Sequence, residues 1–115
     1  MPVNRSNASR FIQATITNAP VGLGPTGVGF SATEMLTASR CLISVDTGAL
    51  RVLWDNGWYG EGTISPATVS TSSGLLVPNN DWPPLEIVGN TNLNFARFCR
   101  NSTTNAVVNF QLESD

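Results

Sequence analysis

Short runs of alternating apolar and polar residues fill the chain from Val28 onward, separated by glycine, proline, asparagine and aspartate. The cleanest run places Ala106, Val108, Phe110 and Leu112 on one face, with mostly polar residues between them. No window longer than one turn carries apolar residues at the i, i+3 and i+4 spacing of an amphipathic helix. We therefore predict an all-β protein.

Two pairs of these runs are predicted to form hairpins. Residues 40–45 alternate, Asp46-Thr47-Gly48 supplies turn chemistry, and residues 50–54 alternate again. Residues 95–100 and 106–112 flank a polar turn and form the second pair. The other predicted strands cover residues 11–16, 75–77 and 85–88. In total we expect about seven or eight short strands in an antiparallel, jelly-roll-like β-sandwich.

One segment carries helical signals. Ser31 and Glu34 match a capping box, in which each residue satisfies a backbone N–H of the other, and Met35 and Leu36 follow. Only about two turns remain before the β-rich run at Cys41, and so short a helix is marginal by itself. We interpret the segment as a strand and a turn, with a short helix as the alternative.

The first 27 residues differ from the rest. Their one strand-like stretch is followed by a series of prolines and glycines from Pro20 to Gly27. A segment with a single pairable strand can bury little of itself, so we expect it to be either loosely ordered or laid across another surface, such as that of a neighbouring subunit. We predict an extended N-terminal arm, residues 1–27, and a single sandwich domain, residues 28–115. A chain of 115 residues is long enough for one such domain.

Composition argues against catalysis. The chain has no histidine and no lysine, so histidine relays, Schiff bases and the usual zinc ligand sets cannot be assembled. Of the carboxylates, Asp55 and Glu61 share a glycine-rich loop, but their spacing fits neither a calcium loop nor a glycosidase pair. We expect no enzymatic activity, no catalytic residue, no metal and no cofactor.

Residues 22–27 spell G-x-G-x-x-G, the pattern of dinucleotide-binding loops. In those loops a helix N-terminus follows the glycines and presents free N–H groups to a pyrophosphate. Here Pro25 and the strand-like residues 28–30 follow instead. We interpret the match as accidental and expect no small-molecule substrate.

Charge limits the partners further. The formal net charge of -2 supplies no basic field for phosphates, which disfavours nucleic acid. No apolar run approaches the length of about 18 residues that spans a membrane, and the N-terminus has no apolar leader, so we expect a protein made in the cytoplasm. All six basic residues are arginine, the cation better suited to interfaces. We expect Cys41 and Cys99 to be buried free thiols.

From residue 28 to residue 112 the order of features is characteristic. Gly29-Phe30-Ser31-Ala32-Thr33-Glu34 precedes Arg40-Cys41-Leu42-Ile43-Ser44-Val45 and Ala49-Leu50-Arg51-Val52, and the chain closes on Thr104-Asn105-Ala106-Val107-Val108-Asn109-Phe110. This order resembles small β-sandwich structural proteins encoded among the virion genes of tailed bacteriophages. Residues 55–62 depart from it as a longer loop. The resemblance implies a non-enzymatic capsid decoration or cement protein that binds the major capsid protein in the virion.

Other partners stay open. A head–tail connector or tail accessory protein would bind other virion structural proteins, and a homo-oligomer would bind a second copy of the chain. A carbohydrate- or receptor-binding module is the rival class, because Trp58, Tyr59 and Trp82 could stack on sugar rings. Arginine and aromatic side chains on projecting segments are typical interface anchors. We therefore predict partner contacts at these residues: Arg5, Arg10, Phe11, Trp58 and Tyr59.

Overall fold

A computed structural model describes residues 8–54, 68–80 and 83–114 of the chain. Its elements are two short helices and seven strands within these ranges. In chain order they are β1 (Ala8–Ile16), α1 (Ala32–Thr37), β2 (Ala38–Thr47), β3 (Ala49–Trp54), β4 (Leu75–Pro78), β5 (Leu85–Val88), α2 (Asn90–Phe95), β6 (Ala96–Arg100) and β7 (Ala106–Ser114). The all-β prediction is confirmed in its main feature, since two antiparallel sheets pack together.

The four-stranded sheet has the order β1-β7-β2-β5, and the three-stranded sheet has the order β4-β3-β6. Every pairing between these strands is antiparallel. Strand β7 lies in the interior of the larger sheet, where its apolar alternation buries Ala106, Val108, Phe110 and Leu112. The predicted face of this strand is therefore confirmed.

The core lies between the two sheets. Phe110 of β7 meets Phe98 of β6 edge to face, with ring centroids 5.1 Å apart and planes inclined by 72°. Residues of both sheets surround this pair: Cys41, Ile43, Val45, Leu50, Val52, Val77, Ile87 and Ala96. The aromatic contact joins the last two strands of the chain across the sandwich.

Both predicted hairpins are wrong. Strands β2 and β3 are separated only by Gly48, yet β2 pairs with β5 and β7 while β3 pairs with β4 and β6. The chain changes sheet at this glycine, whose φ is +74° and whose missing Cβ would lie 2.8 Å from the carbonyl oxygen of Asn105. Strands β6 and β7 likewise belong to different sheets. The buried face of β7 is as predicted, but β7 pairs with β1 and β2 and not with β6, the strand that precedes it in sequence.

The capping-box segment is a helix, so its interpretation as strand and turn is wrong. The Ser31 hydroxyl accepts a hydrogen bond from the Glu34 N–H at 3.1 Å, and the Ser31 N–H donates to Glu34 Oε1 at 2.8 Å. At the other end of α1, the side-chain amide of Asn90 donates to the carbonyl oxygens of Met35 and Ala38. Groups at both ends therefore stabilise a helix of only six residues.

The expected arm is part of the sandwich from residue 8 onward. Strand β1 pairs with β7 over nine consecutive positions, and Ile16 and Leu23 are buried in the core. Val21 continues the association by bridging to Phe98 of β6. The described residues therefore contain no domain boundary at position 27. Residues 1–7 of the expected arm lie outside the described residues.

Both cysteines are free and buried, which confirms the prediction for them. Burial raises the pKa of the Cys41 thiol to about 12 and also raises the pKa of Cys99. The Cys99 thiol donates to the carbonyl oxygen of Asn18 at 3.3 Å. Both thiols therefore stay protonated at neutral pH and pack as small apolar groups. Within the described ranges no helix is long and apolar enough to span a membrane.

Candidate protein-binding face

The side of the four-stranded sheet that points away from the core forms one continuous surface, which we call the outer face. Side chains reach it from all four strands because alternate residues of a strand point to opposite sides of a sheet. It consists of Ser9, Phe11, Gln13, Thr15, Arg40, Leu42, Ser44, Asp46, Glu86, Val88, Val107, Asn109, Gln111 and Glu113. The strand register brings these residues together from four separate parts of the chain.

A hydrogen-bonded network joins three strands at one end of the outer face. The Asn109 amide donates to the Ser44 hydroxyl at 3.2 Å and to Asp46 Oδ1 at 3.0 Å. The Gln13 amide donates to Asn109 Oδ1 at 2.9 Å and to Asp46 Oδ2 at 3.1 Å. Asp46 lies where the β2–β7 register shifts, and such bulges commonly redirect a side chain. The network holds these polar groups in fixed positions.

Charged residues dominate the opposite end of the outer face. The Arg40 guanidinium donates to Glu113 Oε1 through Nε at 2.9 Å and Nη2 at 2.6 Å, and to Glu86 Oε2 at 3.1 Å. Hydrogen bonds from Glu113 and then Glu86 raise the pKa of Arg40. One cation between two carboxylates leaves this cluster with a net negative charge. The forked geometry ties β5, β2 and β7 together.

Apolar side chains interrupt the polar ones. Phe11 is 57% exposed and Val88 is 58% exposed, at opposite edges of the sheet, and Leu42 lies between them. A shallow cleft of about 160 Å³ lies beside Phe11. Its lining consists of Phe11, Leu42, Ile43, Ser44, Pro84, Asn109 and Gln111. The outer face thus combines exposed apolar groups with amides that are already oriented.

Two of the five predicted contact residues are described, and they lie on opposite sides of β1. Phe11 points to the outer face. Arg10 lies on the inner side, where Nη1 contacts Glu34 Oε1 at 2.6 Å and the guanidinium carbon lies 5.9 Å from the centre of the Phe30 ring. Arg10 therefore fastens α1 to β1 and does not accompany Phe11. Arg5, Trp58 and Tyr59 lie outside the described residues, as do Asp55, Glu61 and Trp82.

Sequence reasoning missed most of the outer face. Asn109 and Gln111 were assigned to the polar side of the last strand, but no sequence pattern placed them beside Gln13, Leu42 or Asp46. These residues are neighbours because β1 and β2 flank β7 in the sheet. Strands β1 and β2 are both far from β7 in sequence, so no local pattern indicates this order. The signal available was the polar alternation of each strand. What was lacking was the order of the strands.

The glycine-rich segment forms a compact loop. The N–H of Val28 donates to the carbonyl oxygen of Gly22 at 2.9 Å, and the N–H of Gly27 donates to that of Gly24 at 3.0 Å. A Cβ on Gly27 would lie 2.1 Å from the Gly22 carbonyl oxygen. Glycine is required at position 27 because the chain crosses itself there.

The described residues hold no group of three His, Cys, Asp or Glu side chains positioned to bind a metal ion. No protein-family model, curated protein or solved structure matches the chain.

Proposed function

We propose that this chain is a non-enzymatic structural protein of a bacteriophage particle, a jelly-roll-like capsid decoration or cement protein that binds the major capsid protein. The observation that supports the proposal best is the outer face of the four-stranded sheet. It is broad, its amides are held in place by their neighbours, and it exposes Phe11 and Val88, with the half-buried Leu42 between them. The virion setting comes from the resemblance in the order of features described above.

The shape of the outer face favours a protein partner over a small molecule. Small-molecule sites are concave and typically enclose about 300–1,000 Å³. The cleft beside Phe11 measures only about 160 Å³ and opens to solvent. Protein interfaces combine apolar and aromatic contacts with about one hydrogen bond per 100–200 Å². Polar groups that are already ordered lose little conformational entropy when a partner docks.

A carbohydrate- or receptor-binding role is the second candidate. Phe11 lines the same cleft as Asn109 and Gln111, so the cleft combines an aromatic ring with hydrogen-bonding amides, the mixture of groups that small-ligand sites use. A connector or tail accessory role is a third assignment within the particle class. These alternatives predict different copy numbers and different ligands, so one set of measurements separates them.

The decisive experiment is mass spectrometry of purified phage particles, combined with cryo-electron microscopy of the same sample. A copy number comparable to that of the major capsid protein, with density on the shell, is the expected result. A few copies at the connector or tail would reassign the protein within the particle. Absence from the particle would refute the proposal, and a glycan array would then test the carbohydrate alternative.

A matched pair of variants tests the outer face itself. Leu42→Ser/Val88→Ser removes apolar contacts from the outer face, and we expect shell occupancy to fall several-fold. Leu36→Ser is the control because Leu36 is 77% exposed but lies on α1, away from the outer face. Equal occupancy of the two variants on shells stripped of the native protein would refute a role for the outer face. Thermal unfolding checks that both variants fold.

A further inference from the structure

Strand β1 is an edge strand of the four-stranded sheet, and none of the described residues pairs with its free side. An edge strand presents unpaired backbone N–H and C=O groups, and proteins usually protect it by shortness, proline, charged side chains, inward-pointing charges, a bulge, or a covering helix or loop. The pairing of β1 with β7 runs over nine residues with no register shift. The strand contains neither lysine nor proline. Its one charged residue, Arg10, points inward, but Glu34 of the same chain pairs with this charge at 2.6 Å.

The other three sheet edges are protected. Strand β5 has four residues, and β4 has four and ends at Pro78. The free side of β6 pairs with residues 17–21: Val21 and Phe98 exchange two backbone hydrogen bonds, at 2.8 and 3.0 Å, and the Arg100 N–H donates to the Thr17 carbonyl oxygen at 2.9 Å. Among the described strands, β1 alone is both long and open at one side. Within the described residues, β1 is therefore the sheet edge that offers the longest run of backbone groups for pairing.

We propose that β1 pairs antiparallel with β1 of a second copy of the chain. The occupant follows from the sequence of the strand. Pairing about Ile12 aligns all nine residues of both strands, and a shift that keeps the outer faces together aligns fewer. On the outer face this register places Ser9 opposite Thr15 of the second copy and Phe11 opposite Gln13. On the inner side Arg10 lies opposite Ala14, and Ile12 meets its own copy.

The register also explains the exposure of Phe11. Each Phe11 lies opposite Gln13 of the other copy, so the two Phe11 side chains are diagonal neighbours on the same face. Diagonal neighbours in antiparallel pairs are about 7–8 Å apart, which aromatic side chains can span. Phe11, which is 57% exposed in the single chain, would be flanked by its own copy at the seam and would remain part of the joined outer face.

Charge is compatible with this pairing. The two Arg10 residues would stand four positions apart along the seam, which is about 13 Å. Each guanidinium is already paired with Glu34 of its own chain at 2.6 Å. No like charges therefore face each other. The pair would form one eight-stranded sheet about a two-fold axis, a closed and isologous arrangement.

Dimerisation would align the outer faces of two copies in one surface. The pairing does not depend on the identity of the partner in the proposed function, because it uses the backbone edge of β1. The proposed shell contact at Val88 lies on β5, at the opposite edge of the sheet. Shell binding and self-association can therefore be lost separately.

The test uses sedimentation equilibrium of the purified chain with a charge-exchange pair of variants. Ser9→Lys/Thr15→Lys places lysine opposite lysine at both ends of the seam and should weaken the dimer by on the order of tenfold. Ser9→Lys/Thr15→Glu places opposite charges there and should leave the dimer as tight as the wild type or tighter. The two variants differ at Thr15 alone, which is exposed, and within one chain positions 9 and 15 are too far apart to interact.

Three outcomes would overturn the proposal. These are a wild-type chain that stays monomeric from micromolar to millimolar concentration, a dimer that responds equally to both variants, and a dimer that responds to neither. Phe11→Ser should also weaken the dimer several-fold, with thermal unfolding as a check on the fold. Hydrogen exchange should show protection of β1 amides that rises with chain concentration. Loss of shell binding in Leu42→Ser/Val88→Ser with an intact dimer would contradict neither the pairing nor its register.

Discussion

Asn90 of α2 donates hydrogen bonds to the end of α1, so its replacement tests how much this tertiary contact stabilises two helices that are too short to be stable by themselves. Its side-chain amide donates to the Ala38 carbonyl oxygen at 2.8 Å, to that of Met35 at 2.9 Å and to that of Leu36 at 3.3 Å. These carbonyls belong to the C-terminal turn of α1, where the helix itself provides no donor. Helix α2 begins at Asn90 and thereby caps α1.

The magnitude follows from the geometry. An amide nitrogen carries two hydrogens, so the three contacts amount to two good hydrogen bonds. Each bond contributes about 1 kcal/mol to the free energy of unfolding, because in the unfolded chain the same donor and acceptor groups form hydrogen bonds with water. Asn90→Ala should therefore lower the free energy of unfolding by about 1–2 kcal/mol, or Tm by roughly 4–8 °C for a chain of this size. Asn90→Asp should cost more, since it turns a carboxylate oxygen towards the carbonyls.

Asn92→Ala is the matched control. Asn92 lies in the same helix, and its amide donates only to the Val88 carbonyl oxygen, at 3.0 Å. We expect a loss of about 0.5 kcal/mol. Urea unfolding of the three variants, followed by circular dichroism, measures the differences. Equal losses for Asn90→Ala and Asn92→Ala, or an Asn90→Asp variant no less stable than Asn90→Ala, would refute the capping role.

Three further predictions concern stability. Because the folded pKa of Cys41 is raised to about 12, the free energy of unfolding should fall as pH rises above 9, by up to about 1.4 kcal/mol per pH unit. Urea titrations at several pH values should show a shallower fall for Cys41→Val, and identical slopes would contradict the assignment. Gly27→Ala should lower the free energy of unfolding by on the order of 3 kcal/mol. Gly24→Ala should leave it almost unchanged, because a Cβ at that position meets no atom within 4 Å. Equal melting temperatures of the two variants would contradict the close approach of the chain at Gly27. The pKa of Glu34 is lowered, mainly by the hydrogen bond from the Ser31 N–H and also by Arg10. The ionised Glu34 therefore stabilises the fold at neutral pH, and this stabilisation is lost as the pH falls below 4.5. The free energy of unfolding of Glu34→Gln should be lower than that of the wild type at pH 7 and closer to it at pH 3. An equal difference at the two pH values would contradict a stabilising role for the Glu34 charge.

The β-character of the chain and the faces of its main strands were predictable from sequence. Alternation identifies the buried side of a strand because successive side chains point to opposite faces, and Cys41, Ile43, Val45 and the inward residues of β7 are buried as expected. The turn residues also ended the runs close to the observed strand ends. Local chemistry, repeated every two residues, carries this information.

The helices were decided by tertiary contacts. Six-residue helices are unstable in isolation, and α1 persists because Arg10 and Asn90, both distant in sequence, hold its side and its end. The capping box was visible in the sequence, but the groups that complete it were not. Helix α2 contains three asparagines, which favour helices poorly, and it forms where Leu93 is fully buried.

The sequence by itself determined which residues of each strand face inward, and the tertiary structure decided which strands are neighbours. The alternation of a short strand is visible in its own sequence, but its backbone edges can pair with any other strand. Closeness in sequence therefore predicted two hairpins, and neither of them forms. Burial of β7 at the centre of the larger sheet places β1 on one side and β2 on the other. The outer face and the open edge of β1 are consequences of that order, and they exist only once strands far apart in the chain have paired.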